Sequence, residues 1–344
     1  MMRIMTNPAP RAASLVRGGR VTSADVARRA GVSRSTVSYV LNDNPRQLGR
    51  IPEATRSRVR EAARDLGYAP SIAARNLQAG RSDWVVLVLP EDPLGPGLTE
   101  LVDTFIDELA PHGLTVAVRR TDPLHPTERI AAELSPAAIV ALVPVNDSTR
   151  ERVESAGSVV LDGTVDTVDL PGCRSMHQDV GRIQAAHVIA ARRDRLAFVV
   201  RDDRRLQATA AIRLAGLAAA CAEAQVAAPM VIEMDARPGG GARALEAIGS
   251  AGLQAACCFD DEVALEVLAA ARGAGVRVPE DLAIVGCENS VAGRCVQPGL
   301  TSVEMHAGER AEVTADAVLR STGRDAGRAR RVWRPVELVL RGSA

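Results

Sequence analysis

Val21-Thr-Ser-Ala-Asp-Val-Ala-Arg-Arg-Ala-Gly-Val-Ser-Arg-Ser-Thr-Val-Ser-Tyr-Val-Leu-Asn42 holds two helix-period segments divided by a single glycine. Thr22 offers a hydroxyl where a helix starts, and Asp25, three residues on, faces the positive helix end. Val26, Ala27 and Ala30 form one apolar stripe, and Gly31 stops the helix where a left-handed backbone is easiest. Ser33 then caps a second helix, Ser33 to about Leu41, with Val37, Val40 and Leu41 inward and Arg34, Ser35, Ser38 and Tyr39 outward. Two short helices joined by a tight glycine turn predict a helix-turn-helix. A third helix from Pro52 to Leu66, closed by Gly67, has proline first and glycine last, and Val59, Ala62, Ala63 and Leu66 give its buried stripe.

Outward from this head, charge divides the chain. The whole is formally neutral, yet Met1 to Gln78 carries 14 Arg against 5 acidic residues, net +9, and the remainder is net −9. A basic head on an acidic body predicts that only the head meets a polyanion. Every basic residue apart from histidine is Arg, so position rather than residue type carries the argument. Residues 1–20 read as a disordered basic arm, without the apolar core of a signal peptide, and no stretch reaches the ~20 apolar residues of a membrane span. The reading is a cytoplasmic protein. Cys173, Cys221, Cys257, Cys258, Cys287 and Cys295 have neither disulfide nor zinc spacing and read mainly as reduced, buried thiols.

Beyond residue 83, β-rich runs alternate with amphipathic helical stretches. Trp84 to Pro90, Thr115 to Arg119, Ala138 to Val143 and Val159 to Asp162 read as buried strands. Leu196 to Val200, Met230 to Met234, Ala255 to Phe259 and Leu282 to Gly286 follow as further strands. Helices are predicted at 98–110, 126–134, 147–156, 178–193, 206–224, 240–250 and 261–273. Such alternation predicts an α/β body of two doubly wound parallel-sheet subdomains, with a ligand cleft at the carboxyl ends of the strands. The expected organisation is an arm (1–20), a helix-turn-helix head (21–69), a hinge (70–82) and a body (83–344). The body divides roughly into 83–190 and 191–302, with the C-terminal segment crossing between them.

The head sequence, continued through Pro52-Glu-Ala-Thr-Arg-Ser-Arg-Val and Leu66-Gly-Tyr-Ala-Pro70, resembles the DNA-binding signature of the lactose/galactose repressor (LacI/GalR-type) family over more than fifty residues. The resemblance implies a second helix in the major groove of double-stranded DNA, with Arg34 and Ser35 as main base readers and Tyr39 at a third reading position. Physical chemistry agrees for Arg34, whose fork near a helix N-terminus can take guanine O6 and N7 together. Tyr39 stands where the family often has Arg and cannot make that bidentate contact. Thr22, Ser33, Ser38 and Asn42 would hold phosphates. The alternative is a solvated polar face. In the hinge, a helix of about ten residues is marginal alone. The family's paired hinge helices fold on DNA and wedge a Leu into the minor groove, which implies that role for Leu77, close packing for Ala74 and groove or phosphate contact for Arg75. An ordinary linker is the other reading.

Gln178-Asp-Val-Gly181, Arg213-Leu-Ala-Gly-Leu217, Phe259-Asp-Asp-Glu-Val-Ala-Leu265, Val278-Pro-Glu-Asp-Leu-Ala-Ile-Val-Gly286 and Leu300-Thr-Ser-Val303 resemble effector-domain landmarks of the same family, related to periplasmic sugar-binding proteins. By position, Arg213 and Asp261 match residues that hydrogen-bond effector hydroxyls; a structural ion pair is the alternative. Cys287-Glu288-Asn289 replaces the family's aromatic-Asp-Asp, and the chain has only seven aromatics, so a sugar is less well supported than the fold. The effector reads as a small polar metabolite, sugar-like by resemblance, or the body no longer responds to one. Pro238-Gly-Gly-Gly241 lacks phosphate-loop spacing and reads as a flexible loop, and the five histidines share no catalytic or metal spacing. The expectation is no enzyme, no cofactor and no metal: a homodimeric repressor on a palindromic operator. A solute-binding protein or a sugar-modifying α/β enzyme would also fit the body alone.

Overall fold

The computed structural model describes residues 21–41, 45–68, 82–121, 126–162, 175–324, 327, 331–332 and 334–344. The expected arm, Asn42, Cys173 and the hinge residues Ala74, Arg75 and Leu77 lie outside the described residues. Contacts divide the chain into two compact units, Met1–Ser82 and Asp83–Ala344.

The first unit contains α1 (Ser23–Ala30), α2 (Arg34–Leu41), α3 (Pro45–Leu48) and α4 (Glu53–Asp65). At the start of α1 the Asp25 carboxylate accepts from the Thr22 amide at 2.9 Å, the reach-back half of a capping box. Gly31 turns the chain out of α1 at φ +65. The Ser33 hydroxyl accepts from the Thr36 amide at 3.1 Å and starts α2. Val26, Ala27, Ala30, Val37, Val40, Val59, Ala62 and Ala63 are buried together, with Val32, Leu41, Ile51, Leu66 and Tyr68 packed around them. This is the core that the apolar spacing predicts. Between α2 and α4 the chain adds the single helical turn of α3.

The body has a four-stranded sheet of β1 (Trp84–Leu89), β2 (Thr115–Arg120), β3 (Ala138–Ala141) and β4 (Val159–Asp162), in the order β2-β1-β3-β4 and wholly parallel. Helices α5 (Pro96–Leu109), α6 (Thr127–Leu134) and α7 (Asp147–Ser155) connect it. The second sheet runs β10-β9-β8-β7-β5-β6. Its strands are β5 (Leu196–Arg201), β6 (Met230–Met234), β7 (Ala255–Cys258), β8 (Ala283–Cys287), β9 (Thr301–Glu304) and β10 (Glu337–Val339). Only β10 is antiparallel. Around it lie α8 (Met176–Ala190), α9 (Gln207–Glu223), α10 (Gly240–Ser250), α11 (Asp261–Gly273) and α12 (Val291–Cys295), and α13 (Ala307–Ser321) returns to the first sheet. Residues 238–241 lead directly into α10 rather than forming a free loop.

The structure departs from two sequence expectations. Thr115–Arg120 is not a buried strand: it pairs only with β1 at the sheet edge, and none of its residues is buried. The subdomain boundary near 190 also fails, because α8 belongs with the second sheet. Ala185 and Val188 are buried with Phe198, Leu217 and Cys257, while Ala307, Ala311, Ala315 and Val318 of α13 pack against Val85, Leu87 and Phe105 of the first. An apolar stripe says that a helix is buried, not which sheet buries it. Cys221, Cys257, Cys258 and Cys287 are buried free thiols, and Cys295 is exposed. Among the described residues no helix is long and apolar enough to cross a membrane.

α8 and α9 touch backbone to backbone. A methyl group on Gly181 would lie 2.0 Å from the Arg213 carbonyl oxygen, and one on Gly216 would lie 2.0 Å from that of Gln178. Both glycines stand in the landmarks quoted above, and their backbone clashes cannot be relieved by side-chain rotation. Gly216→Ala is therefore expected to destabilise the body by about 1–3 kcal/mol. Gly249→Ala, which meets nothing within 4 Å, should be neutral or slightly stabilising. Urea unfolding of the two variants checks the contrast; equal midpoints would remove the close crossing.

Candidate nucleic-acid interface and effector cleft

On α2, Arg34, Ser35 and Tyr39 are exposed and Ser38 is half-buried. Helical periodicity puts positions 34, 35, 38 and 39 on one face, opposite the buried Val37 and Val40. The Arg34 guanidinium makes no ion pair or hydrogen bond with the described residues, so its donor fork is free. Ser33 and Ser35 hydroxyls lie 2.8 Å apart, and Ser33 also lies 2.8 Å from the Thr36 hydroxyl. The Thr22 hydroxyl donates to Asp25 at 2.7 Å, and with the Thr22 amide and Arg28 it holds that carboxyl below the usual aspartate range. Thr22 thus secures the helix start before any phosphate is present.

In the body, Arg213 and Asp261 are both buried, at 3% and 1% exposure. No hydrogen bond joins them. Arg213 projects from α9 over the Phe259 ring, with Cζ 4.3 Å from its centroid, and Nη1 donates to the Phe259 carbonyl. Nη2 has only long contacts, 3.4 Å to His177 Nδ1 and 3.8 Å to Met305 Sδ, and Nε has no partner among the described residues. Asp261 is satisfied from within. Its Oδ2 accepts from the Ser290 amide at 2.6 Å and its Oδ1 from the Ser302 hydroxyl at 2.6 Å. Gly286 leaves room for it, since a methyl there would fall 2.1 Å from Oδ1. Burial raises the Asp261 carboxyl above the usual range against those hydrogen bonds.

The residue that sequence reasoning left without a role is Glu288, directly after β8. Its φ is +100 and that of Asn289 is +49, two successive residues in the left-handed region. Its carboxylate reaches the start of α5 on the other sheet, 3.0 and 3.3 Å from where a methyl on Gly95 would stand. No hydrogen bond from the described residues meets that carboxylate. Burial first, then the neighbouring Asp260, push it up to about 8, with Arg213 opposing and Asp261 and Glu262 adding to the rise. His177 is pushed down to about 3 by burial and by the cations Arg213 and Arg310. The sequence signal was the Cys-Glu-Asn replacement itself. Cavities of about 710 Å³, beside Arg182, Ile183 and Val336, and of about 440 Å³, beside Arg120 and Thr149, lie elsewhere in the body; neither is lined by Arg213 or Asp261.

A helix-turn-helix unit with a free arginine fork, joined in one chain to a two-sheet α/β body, is the arrangement of a DNA-binding transcriptional regulator. Residues 22–71 match the description "Bacterial regulatory proteins, lacI family", and residues 185–344 match "Periplasmic binding protein-like domain". The chain is 26% identical over 339 residues to the HTH-type transcriptional regulator DegA of Bacillus subtilis, covering 94% of this chain and 98% of that one. It is 25% identical over 337 residues to the HTH-type transcriptional repressor PurR of Aliivibrio fischeri, with the same coverage. Its fold is similar to a crystal structure of the lac repressor dimer bound to operator and the anti-inducer ONPF, at TM-score 0.67 and 22% identity over 94% of this chain and 99% of that one. The chain thus carries a DNA-binding domain of the lacI type and a periplasmic-binding-protein-like domain. These matches are to regulators and not to enzymes.

The shifts at Glu288 and His177 have opposite consequences. The folded Glu288 binds its proton more tightly than the unfolded chain does, so its contribution is present at low pH and is lost as pH rises from 4.5 through about 8. His177 loses stability only below its unfolded value of 6.5. From pH 6.5 to 8.5 the protein should therefore lose on the order of 1 kcal/mol relative to Glu288→Gln. Chemical denaturation of both across that range measures it, and parallel pH curves would contradict the upward shift of the Glu288 carboxyl.

Proposed function

We propose that this protein is a cytoplasmic repressor that binds a palindromic operator as a homodimer and is controlled by a small polar, sugar-like metabolite in the body cleft. The free Arg34 fork at the first turn of α2, on the exposed face of a capped helix-turn-helix, carries the reading. Arg34 and Ser35 read base edges, and Tyr39 contributes at the third position. Ser33, Ser38, Asn42 and Thr22 contact phosphates and set the register. The names of the PurR relative and of the lac repressor structure support repression, a dimer and an operator. Exposed Val118 on the edge strand β2, and Met230 and Val231 on the edge strand β6, offer apolar surface to a second copy.

Control passes through the hinge, residues 70–82. Two hinges held at the right separation fold as helices on DNA, and Leu77 enters the minor groove beside Ala74 and Arg75. An effector bound to Arg213, beside the wall that Asp261 braces, changes how the two lobes meet, and with it the spacing of the hinges.

Arg34→Ala should weaken binding to the operator by ~1–3 kcal/mol and relax preference at one base position. Fluorescence anisotropy on operator and random duplexes measures it; equal losses on both would refute base reading. Leu77→Ala should reduce operator bending, measured by the mobility of circularly permuted fragments, and an unchanged bend would remove the wedge.

A further inference from the structure

In the body, the buried Arg213 and the half-buried Glu288 both lack adequate partners. The Glu288 carboxylate meets no donor among the described residues, and Arg213 has an unpartnered Nε and a weakly engaged Nη2. They are not paired with each other. A buried charge lacking its complement is costly, and a ligand bringing that complement removes the cost. We propose that the cleft takes a polar metabolite bearing an ammonium group, with the amine against the Glu288 carboxylate and a hydroxyl or carboxylate oxygen against the Arg213 guanidinium. This rests on the reading of the cleft as the effector site and narrows the effector to amine-bearing compounds.

Three observations favour an amine over a neutral sugar. The aromatic ring beside Arg213 is Phe259, whose face the guanidinium already covers at 4.3 Å, so ring stacking on that face is closed to a sugar. The charges acting on Glu288 are mostly acidic, Asp260, Asp261 and Glu262 against Arg213 alone, and this field favours a cation. Asp260 accepts from the Val263 amide at 2.7 Å at the start of α11, and Asp261 is saturated by Ser290 and Ser302. Glu288 is the acid left to a ligand. Its left-handed backbone, φ +100, is the kind of local strain that persists where a site requires a particular aim.

The proposal has a proton signature. Free Glu288, pushed up to about 8, is mostly protonated at pH 7. An ammonium group against it restores the charged form and expels that proton. A neutral polyol does not.

The experiment uses the full-length protein and matched pairs of probes: glucamine against sorbitol, glucosamine against glucose, and serine against glycerate. Thermal shift screens the pairs, and calorimetry in two buffers of different ionisation enthalpy counts protons. In at least one pair the amine member is expected to bind about tenfold more tightly than its hydroxyl analogue, releasing a proton near pH 7, with Glu288→Gln abolishing the preference. The pair that responds distinguishes an amino sugar or amino polyol from an amino acid. Neutral members binding as well as the amines, or amine binding without proton release in the unmodified protein, overturns this inference and leaves the effector reading intact. Silence across both columns overturns the two together.

Discussion

The crossing of α8 over α9 is the constraint on which the body depends. At Gly181 and Gly216 the two backbones meet with no space for a methyl group, so these helices have one register. That register places the site. The carbonyl of Arg213 abuts Gly181, and the same residue sends its guanidinium over Phe259. His177 stands about one turn before Gly181, against that guanidinium. About one turn beyond, the buried Gln184 donates from Nε2 to the carbonyls of Cys258 and Gly286 at 2.9 and 3.0 Å, tying the ends of β7 and β8 to α8. Packed interiors transmit such placements because they cannot deform continuously.

Around this crossing the second lobe is cross-braced by Asp261. Its carboxylate joins the start of α11 to Ser290 and to Ser302 on β9, and Gly286 is the glycine that gives it room. The adjoining turn then carries Glu288 and Asn289 in left-handed conformations and aims the Glu288 carboxylate at the lobe of the first sheet. One buried acid thus sets the geometry of the next, and only the second is left chemically open.

Much of this was legible in the sequence. The runs Trp84–Leu89 and Leu196–Arg201 are too apolar to be anything but central strands, and Gly31 with Ser33 marks the helix-turn-helix by local chemistry alone. What failed depends on partners distant in the chain. β2 has strand-like residues but lies at an edge, and α8 has an apolar stripe that does not say which sheet it covers. β10 has three residues, and α13 returns to a sheet that begins more than two hundred residues earlier. At the site, resemblance named Arg213 and Asp261, but only packing reveals that Asp261 is internally satisfied while Glu288 is not. The replacement of an aromatic-Asp-Asp by Cys287-Glu288-Asn289 was visible as a departure. Its meaning depends on a backbone angle and a reach across the cleft that no spacing encodes.

The head and body differ in charge, net +9 against net −9, so general attraction to DNA belongs to one small unit. The most direct test of the whole account is equilibrium binding of the full-length protein to duplexes selected from genomic fragments, against scrambled competitors at moderate ionic strength. The account predicts a selected inverted repeat bound at least ~10³-fold more tightly than its scrambled version. Equal affinity for both, with binding that simply fades as salt rises, would contradict it.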